Sequence, residues 1–322
     1  STLDRSSAAS DVYKRQIVRC CPNCKRGISM KISRKSKIQI GLLLLPGLLV
    51  FGIFTIYPIL KLFIMSFFEW DFGSMLSHRF IGLENYKEVL GDEYFRTVFI
   101  NSLVYTLVTV PGQMLAGFLV ALLLNQITRF KVGYRVLYYL PVITSWVVAS
   151  LIFKYVFNTE GLLNYFLMNI VHITSANVRW LDTRWGGMTV AMLLGIWKGI
   201  GWNMVVFLAA LQTVPTDLYE AAAIDGATAW DKMWNVTIPS IRGTILFALV
   251  MLTIGGFNVF TSIKMITGGE PGHQTDVILT WMYHKAFSTG KFGYAAALSF
   301  ITTVVLAILA VIQFKLMQQK DQ

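Results

Sequence analysis

Apolar residues in this chain come in long blocks, not in the alternating or one-sided stripes of a water-soluble protein. Six blocks, 40–66, 97–125, 134–157, 188–212, 244–267 and 293–317, each reach the roughly 20 residues that a helix needs to cross a bilayer. The first contains an almost uninterrupted run, GLLLLPGLLVFGIFTIYPIL. The others carry Gly, Ser, Thr, Asn and Gln, which suits spans that pack on one another or line a path. An open sheet cannot satisfy its edges in lipid, and the blocks are too long and too apolar for barrel strands. The pattern predicts an all-α polytopic membrane protein with six transmembrane helices.

Composition agrees. The chain is 55% apolar and only 14% charged, against about 25% charged in soluble domains. That excludes a soluble enzyme, a disordered chain and a secreted disulfide scaffold. The net charge of +11 would by itself fit a nucleic-acid partner, so the position of the charges decides. Ten Lys and Arg precede the first span. If that end is cytoplasmic, alternation puts 126–133, 213–243 and the C-terminus inside as well. The split is then 17 basic residues inside, counting Arg135 and Lys315 at the inner ends of their spans, and 7 outside, with Lys61, Lys154, Lys198 and Lys264 deeper within spans. This follows the positive-inside rule, places both termini in the cytoplasm, and leaves no need for nucleic acid.

Residues 1–29 read as an extension foreign to the fold, with the natural start at Met30 and a basic stretch, 30–39, leading into the first span. All three cysteines, Cys20, Cys21 and Cys24, lie in that extension. A tetrahedral zinc site needs four ligands, and no second pair or nearby His supplies them. Neither a metal site nor a structural disulfide is expected. A short tail, 318–322, closes the chain.

The chain shows no means of energising transport by itself. It has no G-x-x-x-x-G-K-[ST] loop to cradle ATP phosphates. None of the six spans contains Asp or Glu, whereas proton-coupled carriers keep ionisable relays at membrane depth. The four histidines, His78, His172, His273 and His284, are scattered over the predicted outer side and read as ordinary polar loop residues.

The segment 213–243 is too long for a plain connector, since helix connections usually run 2–8 residues. It holds four acids, Asp217, Glu220, Asp225 and Asp231, against two bases, which is the wrong sign for an inside loop shaped by topology alone. Pro215 suits a first helical position, and Gly226 the residue just past a helix end. Thr228 with Asp231 forms a capping-box-like start to a second short helix, which Pro239 follows. Leu218, Ala221, Ala222, Met233 and Trp234 offer apolar surface beside the acids. Two short helices joined by a glycine elbow make a docking element for a partner.

This string resembles the EAA loop of ABC-importer permeases, roughly E-A-A-x-x-D-G-A, then I-x-L-P. The chain has EAAAIDGA followed by VTIP. Val236 and Ile238 replace the usual Ile and Leu, and Gly243 stands where the sugar branch often has a further Pro. The resemblance extends over about 36–317 and includes SFFEWDF (66–72), IGLENY (81–86), IWKGIGWNM (196–204), FNVF (257–260), TGGEPG (267–272) and FGYAAALS (292–299). Glu270 departs from the commoner Gly. Together these strings are similar to the sugar and glycerol-phosphate branch of the permeases. That implies a MetI-like fold and transport of a sugar or sugar-like solute into the cytoplasm across a bacterial or archaeal inner membrane. It implies no catalytic residue and no cofactor in this chain, with ATP and Mg held by a separate cytoplasmic ABC ATPase dimer. It also implies a second permease, homologous or identical, and an extracytoplasmic solute-binding protein.

The resemblance places ATPase coupling on Glu220, Ala221, Ala222, Asp225, Gly226, Ala227, Ile238 and Pro239 of the loop 213–240. It places the substrate path along the fourth and fifth spans, with Trp197, Lys198, Gly199, Trp202, Asn203, Gly255, Gly256 and Asn258 as candidates. Indole rings can stack on a sugar face, and Asn can bond hydroxyls. Gln113 and Tyr105 of the second span are weaker candidates, because polar groups often simply bond helix to helix. Lys198 lies ten residues into its span, roughly 15 Å deep. A Lys at the bilayer centre costs about 2.5–3.5 kcal/mol on insertion scales, and no acid in the spans can pair with it. It should therefore face a wet path, a carbonyl cluster or the partner permease. The alternative function is a stand-alone ion-gradient-driven carrier or channel, against which the loop and the missing membrane carboxylates both count. A membrane-bound transferase would need a catalytic constellation, and none is visible.

Overall fold

The computed structural model describes residues 34–71, 79–127, 129–174 and 176–318. The expectations placed on 1–33, among them the start at Met30 and the Cys21–Cys24 pair, and on the tail beyond Gln318 lie outside the described residues. The chain divides into two compact units, Ser1–Leu60 and Lys61–Gln322. In the first, α1 (Arg34–Phe51) passes through a π-helical turn, Gly52–Ile56, into the start of α2 (Tyr57–Met65).

The second unit continues with a two-residue antiparallel ladder, β1 (Phe68–Glu69) on β2 (Arg79–Phe80). Then come α3 (Glu84–Gly91), α4 (Glu93–Gln126), α5 (Lys131–Ile143), α6 (Trp146–Val156), α7 (Leu162–Tyr165) and α8 (Arg184–Leu211). The loop segment holds α9 (Thr216–Ile224), α10 (Ala229–Lys232) and α11 (Ile238–Ser240). The chain ends with α12 (Arg242–Phe257), α13 (Thr261–Ile266), α14 (Ile278–Tyr283) and α15 (Phe292–Gln318). Five helical stretches are long and apolar enough to cross a membrane, and six if α5 and α6 together form one.

The sequence-predicted third span, 134–157, needs correction. It is not one helix: α5 and α6 meet at 89°. Thr144 and Ser145 are extended at the junction, with ψ of 143° and 137°. The Thr144 hydroxyl donates to the Pro141 carbonyl at 2.7 Å. Side-chain bonds of this kind compete with the helical ladder. The fifth span is interrupted as well, at Asn258–Phe260 between α12 and α13.

Prolines shape two further places. Pro58 and Pro239 each follow a π-helical turn that ends two residues earlier, Gly52–Ile56 and Met233–Thr237. A proline lacks an N–H and crowds the carbonyl four residues back, and a wider turn placed before it relieves that crowding. Pro239 was expected to stand beyond the second loop helix. Instead the helical path runs through it to Ser240.

α4 and α8 form the centre of the second unit. The buried face of α4 runs Asn101, Tyr105, Thr109, Gln113, Gly117, Ala121, Leu124, one residue per turn. α8 is the most buried span. Glycines let the two helices approach closely. A side-chain carbon at Gly117 would overlap the Cβ of Asn203, and one at Gly199 would overlap the amide oxygen of Gln113. At one end of the pair, the Asn101 side chain accepts from Arg184 Nε (3.0 Å) and Nη2 (2.9 Å). It donates to the carbonyls of Gln274 and Asp276, both at 2.7 Å. At the other end, Leu124, Phe207, Leu208 and Leu211 build a buried cluster that takes in Val214 and Ile241 from the loop segment.

This packing generates a test. Gly117→Val should lower the thermal midpoint of the detergent-solubilised protein, by the equivalent of about 1–3 kcal/mol for an overpacked contact. Gly243→Ala, where an added carbon meets nothing within 4 Å, should leave it unchanged. Equal midpoints for the two variants would contradict the close α4–α8 approach.

Candidate functional site

Midway along the α4–α8 pair lies a cavity of about 250 Å³. α4 contributes Tyr105, Thr109 and Gln113 on successive turns. α8 contributes Gly195, Lys198, Gly199 and Trp202, and α12 contributes Leu252, Gly255 and Gly256. The junction of α5 and α6 closes the remaining side with Val142 and Trp146. The walls are aromatic and aliphatic, with a few polar groups and no carboxylate, which suits an uncharged amphipathic solute.

The structure brings Lys198, Gly199, Trp202, Gly255 and Gly256 together here and leaves three other sequence candidates outside the lining. Trp197 is 41% exposed and packs its ring on Phe153 at 5.7 Å. Asn203 is fully buried, and its side-chain N–H donates to the Gly199 carbonyl at 2.9 Å. That bond and its packing on Gly117 make it helix-packing material. Asn258 sits exposed at the break between α12 and α13. Trp146 and Thr109 line the cavity but were not singled out from the sequence. The only sequence signal for Trp146 is its place just after Thr144-Ser145, and that identifies it only once the helix is known to turn there.

Lys198 has its partners within this chain. It is 4% exposed. Its Nζ donates to the carbonyl of Pro141 (2.7 Å), the carbonyl of Thr144 (2.6 Å) and the Thr144 hydroxyl (3.3 Å). It also lies over the Trp146 ring, 4.8 Å from the centroid. An ammonium has three N–H donors, and all three are engaged. The last carbonyls of a helix have no partner within it and carry the negative end of its dipole. Lys198 therefore caps the end of α5 from a neighbouring helix. Of the environments the sequence allowed for it, the carbonyl cluster is present, and Lys198 also stands in the cavity lining.

The loop segment has the expected build. α9 ends in a Schellman motif: the Ala227 N–H reaches the Ala222 carbonyl (2.9 Å) and the Gly226 N–H the Ala223 carbonyl (3.1 Å). Gly226 has φ +77°, and nothing lies within 4 Å of a carbon added there. A side chain would thus be opposed by backbone strain alone. Thr228 and Asp231 form a reciprocal capping box, with Asp231 N–H to Thr228 Oγ1 at 3.3 Å and Thr228 N–H to Asp231 Oδ2 at 2.9 Å. The Thr228 hydroxyl, which donates to Asp231 Oδ2 at 2.6 Å, and the Thr228 N–H hold the Asp231 carboxyl below its usual pKa. Pro215 stands one residue outside α9, not at its first position. The hydroxyls of Tyr219 and Thr237 meet at 3.0 Å and tie the two arms together. Glu220, Ala221, Asp225, Gly226 and Pro239 are exposed, while Ala222, Ala227 and Ile238 are half-buried. Beside the acids stand unusually open apolar side chains, Ile224 at 86% and Trp230 at 69% exposed.

Two of the four histidines are not scattered. The rings of His273 and His284 lie 4.6 Å apart and tilted, His284 stacks on Trp281 at 5.2 Å, and His273 Nδ1 lies 2.8 Å from Asp276 Oδ2. Burial and the neighbouring His273 push the His284 pKa down. Nearby, burial alone would raise the Asp92 pKa, but bonds from Lys285, Tyr294 and the Tyr94 N–H outweigh it and hold the carboxyl down. Among the described residues no cluster is suited to hold a metal ion.

Long apolar helices around a cavity midway along them, with a hairpin of acids and exposed apolar side chains at one end, point to a membrane transport subunit. Residues 93–320 match the family described as binding-protein-dependent transport system inner membrane component, and the chain belongs to that family. It is 30% identical over 284 residues to the probable ABC transporter permease protein YurN of Bacillus subtilis, covering 87% of this chain and 96% of that one. It is 32% identical to the arabinooligosaccharides transport system permease protein AraP of the same organism, over 84% of this chain and 86% of the relative. Its fold matches a chain of a bacterial ABC transporter that imports the acidic polysaccharide alginate, with a TM-score of 0.74 and 24% identity over 88% and 96% of the two chains.

The capping role of Lys198 predicts the effect of its removal. Lys198→Met should leave the Thr144 carbonyl unpaired and the Pro141 carbonyl with the Thr144 hydroxyl alone, and lower the thermal midpoint of the solubilised protein, by the equivalent of about 1–3 kcal/mol. Lys198→Arg, which keeps the charge and the donors, should lose less. An unchanged midpoint in Lys198→Met would show that the cap carries no stability.

Proposed function

We propose that this chain is the permease subunit of an ATP-driven sugar importer in a bacterial or archaeal cytoplasmic membrane. In this reading it works with a second permease, a cytoplasmic ABC ATPase dimer that holds ATP and Mg, and an extracytoplasmic binding protein. The observation that carries the reading is the common scaffold. α4 and α8 line the cavity at mid-span, and the buried cluster that seats the loop hairpin includes their ends. A rigid helix pair lets force applied at the hairpin reach the cavity. Relatives named for arabinooligosaccharide transport support a sugar as cargo.

The hairpin would dock on the ATPase. Ile224 and Trp230 bring apolar area, Glu220 and Asp225 meet basic or amide donors, and Ala221 permits close approach. Gly226 supplies the elbow that sets the angle between α9 and α10. The termini and this hairpin are then cytoplasmic, and the loop around Gln274 is external. No carboxylate lines the cavity, so the ion-driven carrier gains no support.

Two tests follow from this reading. In Gly226→Val a β-branched residue is forced to positive φ, at a cost of about 1–3 kcal/mol. The reconstituted importer should hydrolyse ATP without substrate stimulation and lose uptake, while membrane insertion persists. Normal coupled uptake in that variant would sink the docking role. For topology, Cys20, Cys21 and Cys24 are first replaced by Ser. Gln274→Cys should then react with an impermeant thiol reagent from outside, and Ala229→Cys only after the membrane is opened. External labelling at Ala229→Cys would reverse the orientation.

A further inference from the structure

Among the polar side chains that line the cavity, Gln113 presents a carboxamide whose bonding capacity is unspent. Gln113 is 9% exposed, and its carboxamide has no hydrogen-bond partner among the described residues. Two other polar groups of the lining are committed within the protein. The Thr109 hydroxyl donates to the Tyr105 carbonyl at 2.7 Å, and the Lys198 ammonium is engaged by Pro141 and Thr144. Gln113 lies against Gly199, where an added side-chain carbon would overlap its amide oxygen. Glycine at 199 leaves the bay that the amide occupies, between the cavity and α8. A carboxamide that lines the cavity and is still unbonded is suited to a ligand that supplies the bonds.

We propose that Gln113 is a specificity-determining residue of the path, hydrogen-bonding the hydroxyls of an uncharged sugar, and that Lys198 offers no counter-ion to the cargo. The proposal rests on the sugar-importer reading and adds the chemical class of the cargo to it. A carboxamide presents two N–H donors and an acceptor oxygen, which matches a hydroxyl acting as acceptor and donor in turn. Trp146 and Trp202 give flat apolar walls for the ring faces. An anionic cargo would need a free cation here. The cationic side chain in the lining is Lys198, and its donors already meet the carbonyls of Pro141 and Thr144 and the Thr144 hydroxyl.

The test is ATP-dependent uptake by the complete importer in proteoliposomes. Cargoes are lactose and arabinobiose with their monodeoxy analogues, and sn-glycerol 3-phosphate is the anionic competitor. Wild type should prefer one parent sugar over a particular deoxy analogue, and glycerol phosphate should not compete. Gln113→Leu should reduce kcat/KM for that parent sugar roughly fivefold to tenfold, the size of one neutral hydrogen bond. It should transport the deoxy analogue as wild type does, so that the discrimination collapses. If Gln113→Leu fails to assemble, Gln113→Asn, with a shorter amide, must change the deoxy profile. An assembled variant with the wild-type profile, or equal losses for every analogue, overturns the assignment of Gln113. Competition by glycerol phosphate overturns the uncharged class. Absence of ATP-dependent uptake of any sugar by wild type would instead defeat the importer reading itself.

Discussion

Hydrocarbon offers no hydrogen bonds, so a chain inside a bilayer must satisfy every backbone polar group internally. This protein bends an apolar stretch by 89° between α5 and α6 and meets that demand at the bend with the Lys198 side chain and the Thr144 hydroxyl. The end of α5 leaves carbonyls of Pro141 and Thr144 free of the ladder, and Lys198 of α8 fills them. The same contact removes the problem of a buried ammonium without any carboxylate in the spans. Charge and break answer each other. The consequence is geometric: the turn of 89° between α5 and α6 brings Val142 and Trp146 into the wall of the cavity.

The α4–α8 pair supplies the rest of the frame. Its glycines allow an approach close enough that Gln113 lies on Gly199 and Gly117 on Asn203. Asn101 and Arg184 fasten one end, and the apolar cluster around Leu124 and Leu211 seats the loop hairpin at the other. In the importer reading, movement of the hairpin shifts the cavity walls as a body, because α8 runs as one helix through Arg184–Leu211. Gly226 is the place where this linkage depends on backbone conformation and not on packing.

Much of this was readable from local chemistry. Five of the hydrophobic blocks lie within a few residues of long apolar helical stretches among the described residues, while block 134–157 falls on two helices. Gly226, Thr228 and Asp231 announced the hairpin, because caps and left-handed glycines are short-range features. What stayed hidden was long-range. Lys198 bonds to residues 54 and 57 positions earlier, and no sequence window connects them. The break at Thr144-Ser145 looks like ordinary span sequence until its carbonyls are seen to be capped from another helix. Asn203 and Gln113 are both amides at interfaces. The sequence favoured Asn203 for the path, whereas the structure gives Asn203 a backbone partner and leaves Gln113 without one. Trp197 and Trp202 are five residues apart on one helix, and only the cavity's position on α8 separates their surroundings.

The most direct measurement is an experimental structure of the assembled importer with an uncharged disaccharide bound at mid-membrane. The account predicts that the Lys198 ammonium remains within hydrogen-bond distance of the Pro141 and Thr144 carbonyls, and that sugar hydroxyls meet the Gln113 amide beside Trp202. An ammonium that has left the end of α5 to contact the sugar, with α5 and α6 joined into a straight helix, would contradict it.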